Sequence, residues 1–220
     1  LSSFRLIQNG QDVSAQAQVN QCCFAFTPTA DVPEGVVSLH VEVRDIAGNL
    51  GEANWTYITD RTAPVIFDVR PPPASVQTAA RPVVSGSMRN GSGIDPTTFR
   101  LTQNGVNVTG QTQVTASSFT FTPGTDVPEG LVLLHSEVRD LAGNLGLTDW
   151  TYVLDRTGPS FGVPQPPDGA RIEEDRPEIR ITYLDALSAI DVSSVRVLVR
   201  GVDVTGSAVI TSTGISYTPP

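Results

Sequence analysis

The strongest constraint in this 220-residue chain is that it repeats itself. FRLIQNGQDV at 4–13 returns as FRLTQNGVNV at 99–108, and FAFTPTADVPEG at 24–35 returns as FTFTPGTDVPEG at 119–130. VRDIAGNLG (43–51) returns as VRDLAGNLG (138–146), and WTYITDRTAP (55–64) as WTYVLDRTGP (150–159). Every pair is offset by 95 residues, with about 37 of 63 aligned positions identical. A third copy follows with one residue inserted. There DRPEI (175–179) matches ARPVV (80–84), SAIDVSSVRVLVRGVDVTG (188–206) matches SGIDPTTFRLTQNGVNVTG (92–110), and ISYTP (215–219) matches FTFTP (119–123). A fixed period of this kind belongs to a tandem array of one structural unit. Residues 64–158 read as a complete unit, 1–63 as the C-terminal part of a preceding one, and 159–220 as the N-terminal part of a following one. An opening on LSSFRL is what an internal piece of a longer protein is expected to show.

Within the unit, short runs rich in Val, Thr and Ile alternate with Gly and Pro at the spacing of an all-β sandwich. Val65 to Arg70 reads as a first strand, stopped by three prolines at 71–73 that cannot continue a ladder. Pro82 to Met88 follows. Phe99–Gln103 and Val106–Val108 flank Asn104–Gly105, the strongest short hairpin signal. Leu131–Arg139 and Leu147–Leu154 flank DLAGN. Period 2 turns Val132, Leu134 and Val138 inward with Trp150 and Tyr152. In the first copy it turns Val37, Leu39, Val41 and Val43 inward. Trp55, Tyr57, Trp150, Tyr152, Phe24, Phe26, Phe119 and Phe121 are the expected core aromatics, each recurring once per unit.

Composition narrows the function. A net charge of −9 leaves no basic stripe for nucleic acid. All fourteen basic residues are Arg, which removes Lys-based chemistry: Schiff bases, P-loops and Lys–Asn isopeptide staples. No apolar run approaches the length of a membrane span, and no signal peptide is visible. The only histidines, His40 and His135, fall at equivalent outward positions, and no Ser/His/Asp or Cys/His arrangement can be assembled. The expectation is a protein that is not an enzyme and carries no cofactor.

Asp45, Gly48 and Asn49, repeated as Asp140, Gly143 and Asn144, satisfy the needs of a tight turn. Asp accepts backbone N–H bonds, Gly takes φ > 0, and Asn tolerates the same region. The rival reading is calcium, with Asp60 and Asp155 as further oxygen donors, because acidic repeats use Ca²⁺ to stiffen linkers. Asp60 and Asp45 lie far apart along one unit, so a single site does not easily use both. Cys22 and Cys23 have three readings. Alternation makes Cys22 a small buried hydrophobe beside Phe24 and Phe26, with Cys23 an exposed thiol. Cys23 is also the candidate for a crosslink to another chain, and a bond between the two neighbours needs strained geometry. The second copy has Ser117 and Ser118 there. Sequons at Asn54, Asn90 and Asn107 are of the kind that Thr-rich chains produce by chance.

The string SGID…NGVNVTG, followed by FTP, PEG, VRD-x-AGN, WTY and DRT-(A/G)-P, resembles bacterial immunoglobulin-like repeats, stacked in surface adhesins, stalks and fibres. The resemblance covers essentially the whole chain. It implies tandem immunoglobulin-like β-sandwiches, an extracellular or cell-surface location in a prokaryote, and mechanical spacing rather than catalysis. Its partners would be neighbouring repeats of the same chain, with no nucleic acid and no membrane insertion. The family pattern has Thr where Arg61 and Arg156 stand. Two other functions compete: a glycan- or protein-binding module acting through its loops, and a filament subunit that completes its partial sandwiches with strands from identical chains.

Overall fold

A computed structural model describes residues 3–220 and is nearly all β. The 1–63 unit contributes β1 (Arg5–Gln8), β2 (Gln11–Asp12), β3 (Gln18–Val19), β4 (Phe24–Ala25), β5 (Gly35–Arg44) and β6 (Leu50–Thr59). The 64–158 unit contributes β7 (Val65–Arg70), β8 (Val76–Gln77), β9 (Val84–Arg89), β10 (Ile94–Gln103), β11 (Val106–Asn107), β12 (Gln113–Val114), β13 (Ser118–Phe121), β14 (Gly130–Asp140) and β15 (Leu145–Leu154). The last unit holds β16 (Ser160–Phe161), β17 (Ile179–Leu184), β18 (Leu198–Val199), β19 (Val202–Asp203), β20 (Val209–Ile210) and β21 (Gly214–Tyr217).

The middle unit is a two-sheet sandwich. One sheet runs β12-β13-β9-β7 and the other β11-β10-β14-β15-β8. Relabelled from the first strand, these are the A-B-E-D and C′-C-F-G sheets of an immunoglobulin fold. The chain crosses between sheets after β7, as β8 leaves the first sheet and pairs in parallel with β15. Val84, Phe99, Leu101, Phe119, Phe121, Val132, Leu134, Val138, Trp150, Tyr152 and Leu154 fill the space between the sheets, all buried. Phe119 packs 4.8 Å from Phe99 and 6.4 Å from Trp150, ring centre to ring centre. Alternation also carries polar atoms inward. Ser136 Oγ, Trp150 Nε1 and Tyr152 OH are buried without a hydrogen-bond partner among the described residues.

The outer units hold complementary halves of this plan. Residues 3–63 form the C′-C-F-G type of sheet, in the order β2-β1-β5-β6, beside the small β3-β4 hairpin. Residues 159–220 form the A-B-E-D type, β16-β17-β21-β20, beside the β18-β19 hairpin. Leu39 pairs with Trp55 in β5-β6 as Leu134 pairs with Trp150 in β14-β15, so the registers superpose at the 95-residue offset.

The missing facing sheet corrects part of the core expectation. Trp55 and Tyr57 are 41% and 38% exposed, Val43 is exposed, and Phe24 and Phe26 are only half-buried. In the middle unit β7 and β9 complete the sheet that covers the corresponding residues, and nothing among residues 3–63 takes their place. The exposed surface of 14174 Å² includes the uncovered inner faces of the two outer sheets. A compact monomer of 23.4 kDa would expose roughly 9,700 Å².

The turn chemistry is repeated too. Asn104 and Gly105 both have positive φ, as do Asn9–Gly10 and Arg200–Gly201. Asn104 also extends the ladder past the hairpin. Its N–H donates to Leu133 O and its Oδ1 accepts Leu133 N–H, both at 2.8 Å. Asn9 does the same with Ser38. A hydroxyl eight residues beyond each central C strand position ties down the following 3-10 turn. Ser14, Thr109 and Thr205 accept from Leu6, Leu101 and Val197 N–H, each at 2.9 Å.

In the DLAGN turn Gly143 has φ +94, and Gly48 has +91. Neither Asn49 nor Asn144 shares that conformation, which corrects the turn expectation for Asn. Their role is a carboxamide donation to the aspartate that opens the turn: Asn144 Nδ2 to Asp140 Oδ2 and Asn49 Nδ2 to Asp45 Oδ2, both 2.8 Å. Gly143→Val meets no steric neighbour, so its cost is backbone strain alone. The variant should lose about 1–3 kcal/mol, read as a lower thermal midpoint.

Candidate functional site: the clamped linker

The two DRT linkers are held by the glutamate of the preceding VPEG loop. Glu34 Oε1 accepts from Arg61 N–H at 2.7 Å, and its Oε2 accepts from the Thr62 hydroxyl at 2.8 Å. Glu129 repeats this with Arg156 N–H at 3.0 Å and the Thr157 hydroxyl at 2.7 Å. A carboxylate accepting two donors at fixed angles is a strong, oriented contact. The arginine side chain adds a second fastening. Arg61 Nη2 donates to Val32 O at 3.2 Å, and Arg156 Nη2 donates to Val127 O at 3.3 Å. Each linker also carries its own Asx turn, with Asp60 Oδ1 and Asp155 Oδ1 accepting from Thr62 and Thr157 N–H. VPEG and DRT sit about 27 residues apart in each copy, and the strand pair between them brings them together.

The following unit grips the first linker from the other side. Asn90 Nδ2 donates to Thr62 O at 2.6 Å, and Asn144 Nδ2 donates to Asp60 O at 3.0 Å. Pro64 is buried, and its carbonyl lies over Gly146. A Cβ on Gly146 would stand 2.1 Å from Pro64 O and 2.8 Å from its carbonyl carbon. The equivalent Gly51 meets nothing closer than 3.8 Å. Gly146 is therefore an interface residue, which the sequence did not reveal; the signal available was its recurrence in AGNLG.

At the second linker the plan changes. Asp185 occupies the place of Asn90, so the amide donor is lost, and its carboxyl instead accepts from Leu187 and Ser188 N–H. Ser188 and Leu187 N–H hold the Asp185 carboxyl below the usual carboxylate range. Asp155 is buried and Pro159 exposed.

The calcium candidates are now placed. Asp45 and Asn49 satisfy each other inside their turn, and the Asn49 carboxamide and N–H hold the Asp45 carboxyl below its ordinary value. Asp140 is 2% exposed; its Oδ1 accepts from Ala142 and Asn144 N–H. Asp60 does meet Asn144, but of the next unit rather than its own Asn49. The group at the centre of that meeting is the Asn144 NH₂, which bonds Asp60 O and Asp140 Oδ2. An amide donor in that place does not suit a cation that takes six to eight oxygens, although Asp60 Oδ2 is buried without a partner among the described residues. No group of three His, Cys, Asp or Glu side chains arranged for a metal occurs among them.

The remaining candidates are surface features. His135 Nδ1 lies 2.7 Å from Asp149 Oδ1, and His40 sits between Asn54 and Glu42 at 2.8 and 2.9 Å. The Glu42 carboxylate, then Asn54, raises the His40 pKa. Asn90 and Asn107 of the sequons are engaged in turn hydrogen bonds. Cys22 is exposed, not buried with Phe24, because β4 begins only at Phe24 and both cysteines lie in the turn before it. Among the described residues no helix is long and apolar enough to cross a membrane.

No protein-family model and no curated protein sequence matches the chain. Among solved structures it is similar to dimeric latent PorU from Porphyromonas gingivalis, at 14% identity and TM-score 0.37, covering 73% of this chain and 18% of that one. It is also similar to Sidekick-1 immunoglobulin domains 1–5, at 13% identity and TM-score 0.36, covering 97% and 47%. The insect immune protein hemolin aligns at 15% identity and TM-score 0.27, covering 98% and 59%. The chain thus spans 47% of the Sidekick-1 chain, 59% of the hemolin chain and 18% of the PorU chain. Its own strand order carries the immunoglobulin-like assignment.

Proposed function

We propose that this segment is a spacer: a run of immunoglobulin-like sandwiches in an extracellular or cell-surface fibrous protein, built to hold a distance. The observation that carries this reading is the twice-repeated glutamate clamp on the DRT linker. A flexible tether between domains needs no such fastening, and its end-to-end distance grows only with the square root of its length. A linker tied to the preceding VPEG loop transmits orientation from unit to unit, so reach grows in proportion to repeat number. Calcium plays no part in this reading, and neither does catalysis; the work is architectural.

Small-angle scattering tests it. The 220-residue chain should scatter as an elongated particle, and a compact globule would defeat the proposal. Glu34→Ala with Glu129→Ala should leave the sandwich melting transition in place. The same pair should broaden the distribution of distances between spin labels placed on the first and middle units. An unchanged distribution would mean that the clamp does not set the geometry. Growth of the particle with concentration would instead favour strand exchange between chains.

A further inference from the structure

We propose that Cys22 and Cys23 form a bidentate dithiol site for a soft, sulfur-seeking metalloid or metal ion, of which trivalent arsenic is the type. The two thiols lie at the exposed tip of the β3-β4 hairpin with their Sγ atoms 3.1 Å apart. In an extended strand, successive side chains point to opposite faces. Here they converge, because Asn20 Oδ1 gathers the turn around itself. It accepts from Cys22 N–H at 3.0 Å and Cys23 N–H at 2.9 Å, and it lies 3.1 and 3.2 Å from the two sulfurs.

The fold does not ask for sulfur at this place. In the middle unit Thr115 Oγ1 takes the role of Asn20, accepting from Ser117 and Ser118 N–H at 3.2 and 3.0 Å. In the last unit Thr211 does so with Thr213 N–H. The turn forms with hydroxyls or with glycine, so the paired thiols are an addition to a turn that stands without them.

The same geometry argues against the two disulfide alternatives. Consecutive Cα atoms are about 3.8 Å apart, below the 4.4–6.8 Å span of ordinary disulfides, so a bond between these neighbours is strained and readily reduced. A mixed disulfide formed on Cys23 would be attacked by the Cys22 sulfur beside it, which works against a lasting crosslink to another chain. Two thiolates bridged by a third atom avoid both problems, and thiolate is the ligand that soft ions prefer. The chemistry involves no oxidant. An As(III) oxide group exchanges its oxygen for two sulfurs: two S–H bonds break, two As–S bonds form, and both protons leave with the oxygen as one water.

Phenylarsine oxide is the probe, with intact mass as the readout. The wild-type chain should take up one phenylarsenic group with loss of one water. The adduct should survive excess 2-mercaptoethanol and be removed by 1,2-ethanedithiol. Cys22→Ser and Cys23→Ser should each lower apparent affinity roughly a hundredfold or more, the loss of a chelate's second arm, with the melting transition unchanged. Removal of the wild-type adduct by the monothiol, or equal binding by either serine variant, overturns the proposal. So does a disulfide-linked dimer as the main species on non-reducing electrophoresis of the untreated protein.

Discussion

Gly146→Val should cost the middle sandwich about 3 kcal/mol, the upper part of the range for forcing bulk into a packed site. Gly51→Val should stay within about 0.5 kcal/mol. The two glycines are the same letter of the repeat and the same residue of the same strand. They differ in what lies above them. Over Gly146 sits Pro64 O, a backbone atom of the incoming linker, 2.1 Å from where a Cβ would stand. Over Gly51 the nearest atom is 3.8 Å away. A backbone carbonyl cannot rotate aside as a side chain can, so valine must displace the linker or spread the sheets. For a domain near this size, 3 kcal/mol lowers the thermal midpoint by about 12 °C or more. Parallel thermal melts of the two variants decide the matter. Equal shifts would mean that the linker does not rest on the middle unit.

The second large effect is expected at Trp150. Trp150→Ala removes a 4%-exposed ring packed on Phe119, and losses of this kind run to about 3–5 kcal/mol. A unit near 95 residues has only about 5–14 kcal/mol in all. The variant should therefore melt early or arrive unfolded, as limited proteolysis within residues 64–158 would report. Trp55→Ala should cost clearly less, because 41% of that residue's surface already meets water. Trp150→Phe should recover most of the loss: the indole N–H has no partner among the described residues, so phenylalanine leaves no buried donor unpaired. Equal sensitivity of Trp55 and Trp150 would contradict the difference in packing between the two units.

Much of this fold could be read from the sequence, because its signals are local and appear more than once. Asn104–Gly105 announces a two-residue turn wherever it falls, and alternation places Trp150 beside Leu134 before any sheet is drawn. What the sequence withheld depends on contacts between copies. Trp55 and Trp150 carry the same neighbours in sequence, yet only one is covered, since the covering strands β7 and β9 belong to a part of the repeat that residues 3–63 do not include. Gly146 carries no local signal that sets it apart from Gly51, since its reason is the Pro64 carbonyl lying on it. Glu34 and Glu129 carry no local signal of their role, because their partners are some 27 residues downstream across a strand pair. Cys22 departs from expectation for a different reason: alternation does not extend two residues ahead of β4, into a turn governed by Asn20.

The clamp has a consequence for how such a chain can change length over generations. At the first junction every contact is made by residues carried within the repeat: VPEG behind, DRT between, Asn90, Asn144 and Gly146 ahead. A duplication of the 64–158 block joins sequences that already contain both halves of that junction: VPEG and DRT for the side behind, Asn90, Asn144 and Gly146 for the side ahead. No new surface has to be invented when such a copy is gained. Copy number can then rise by duplication of one gene segment, with a joint of the first type carried along in each added copy.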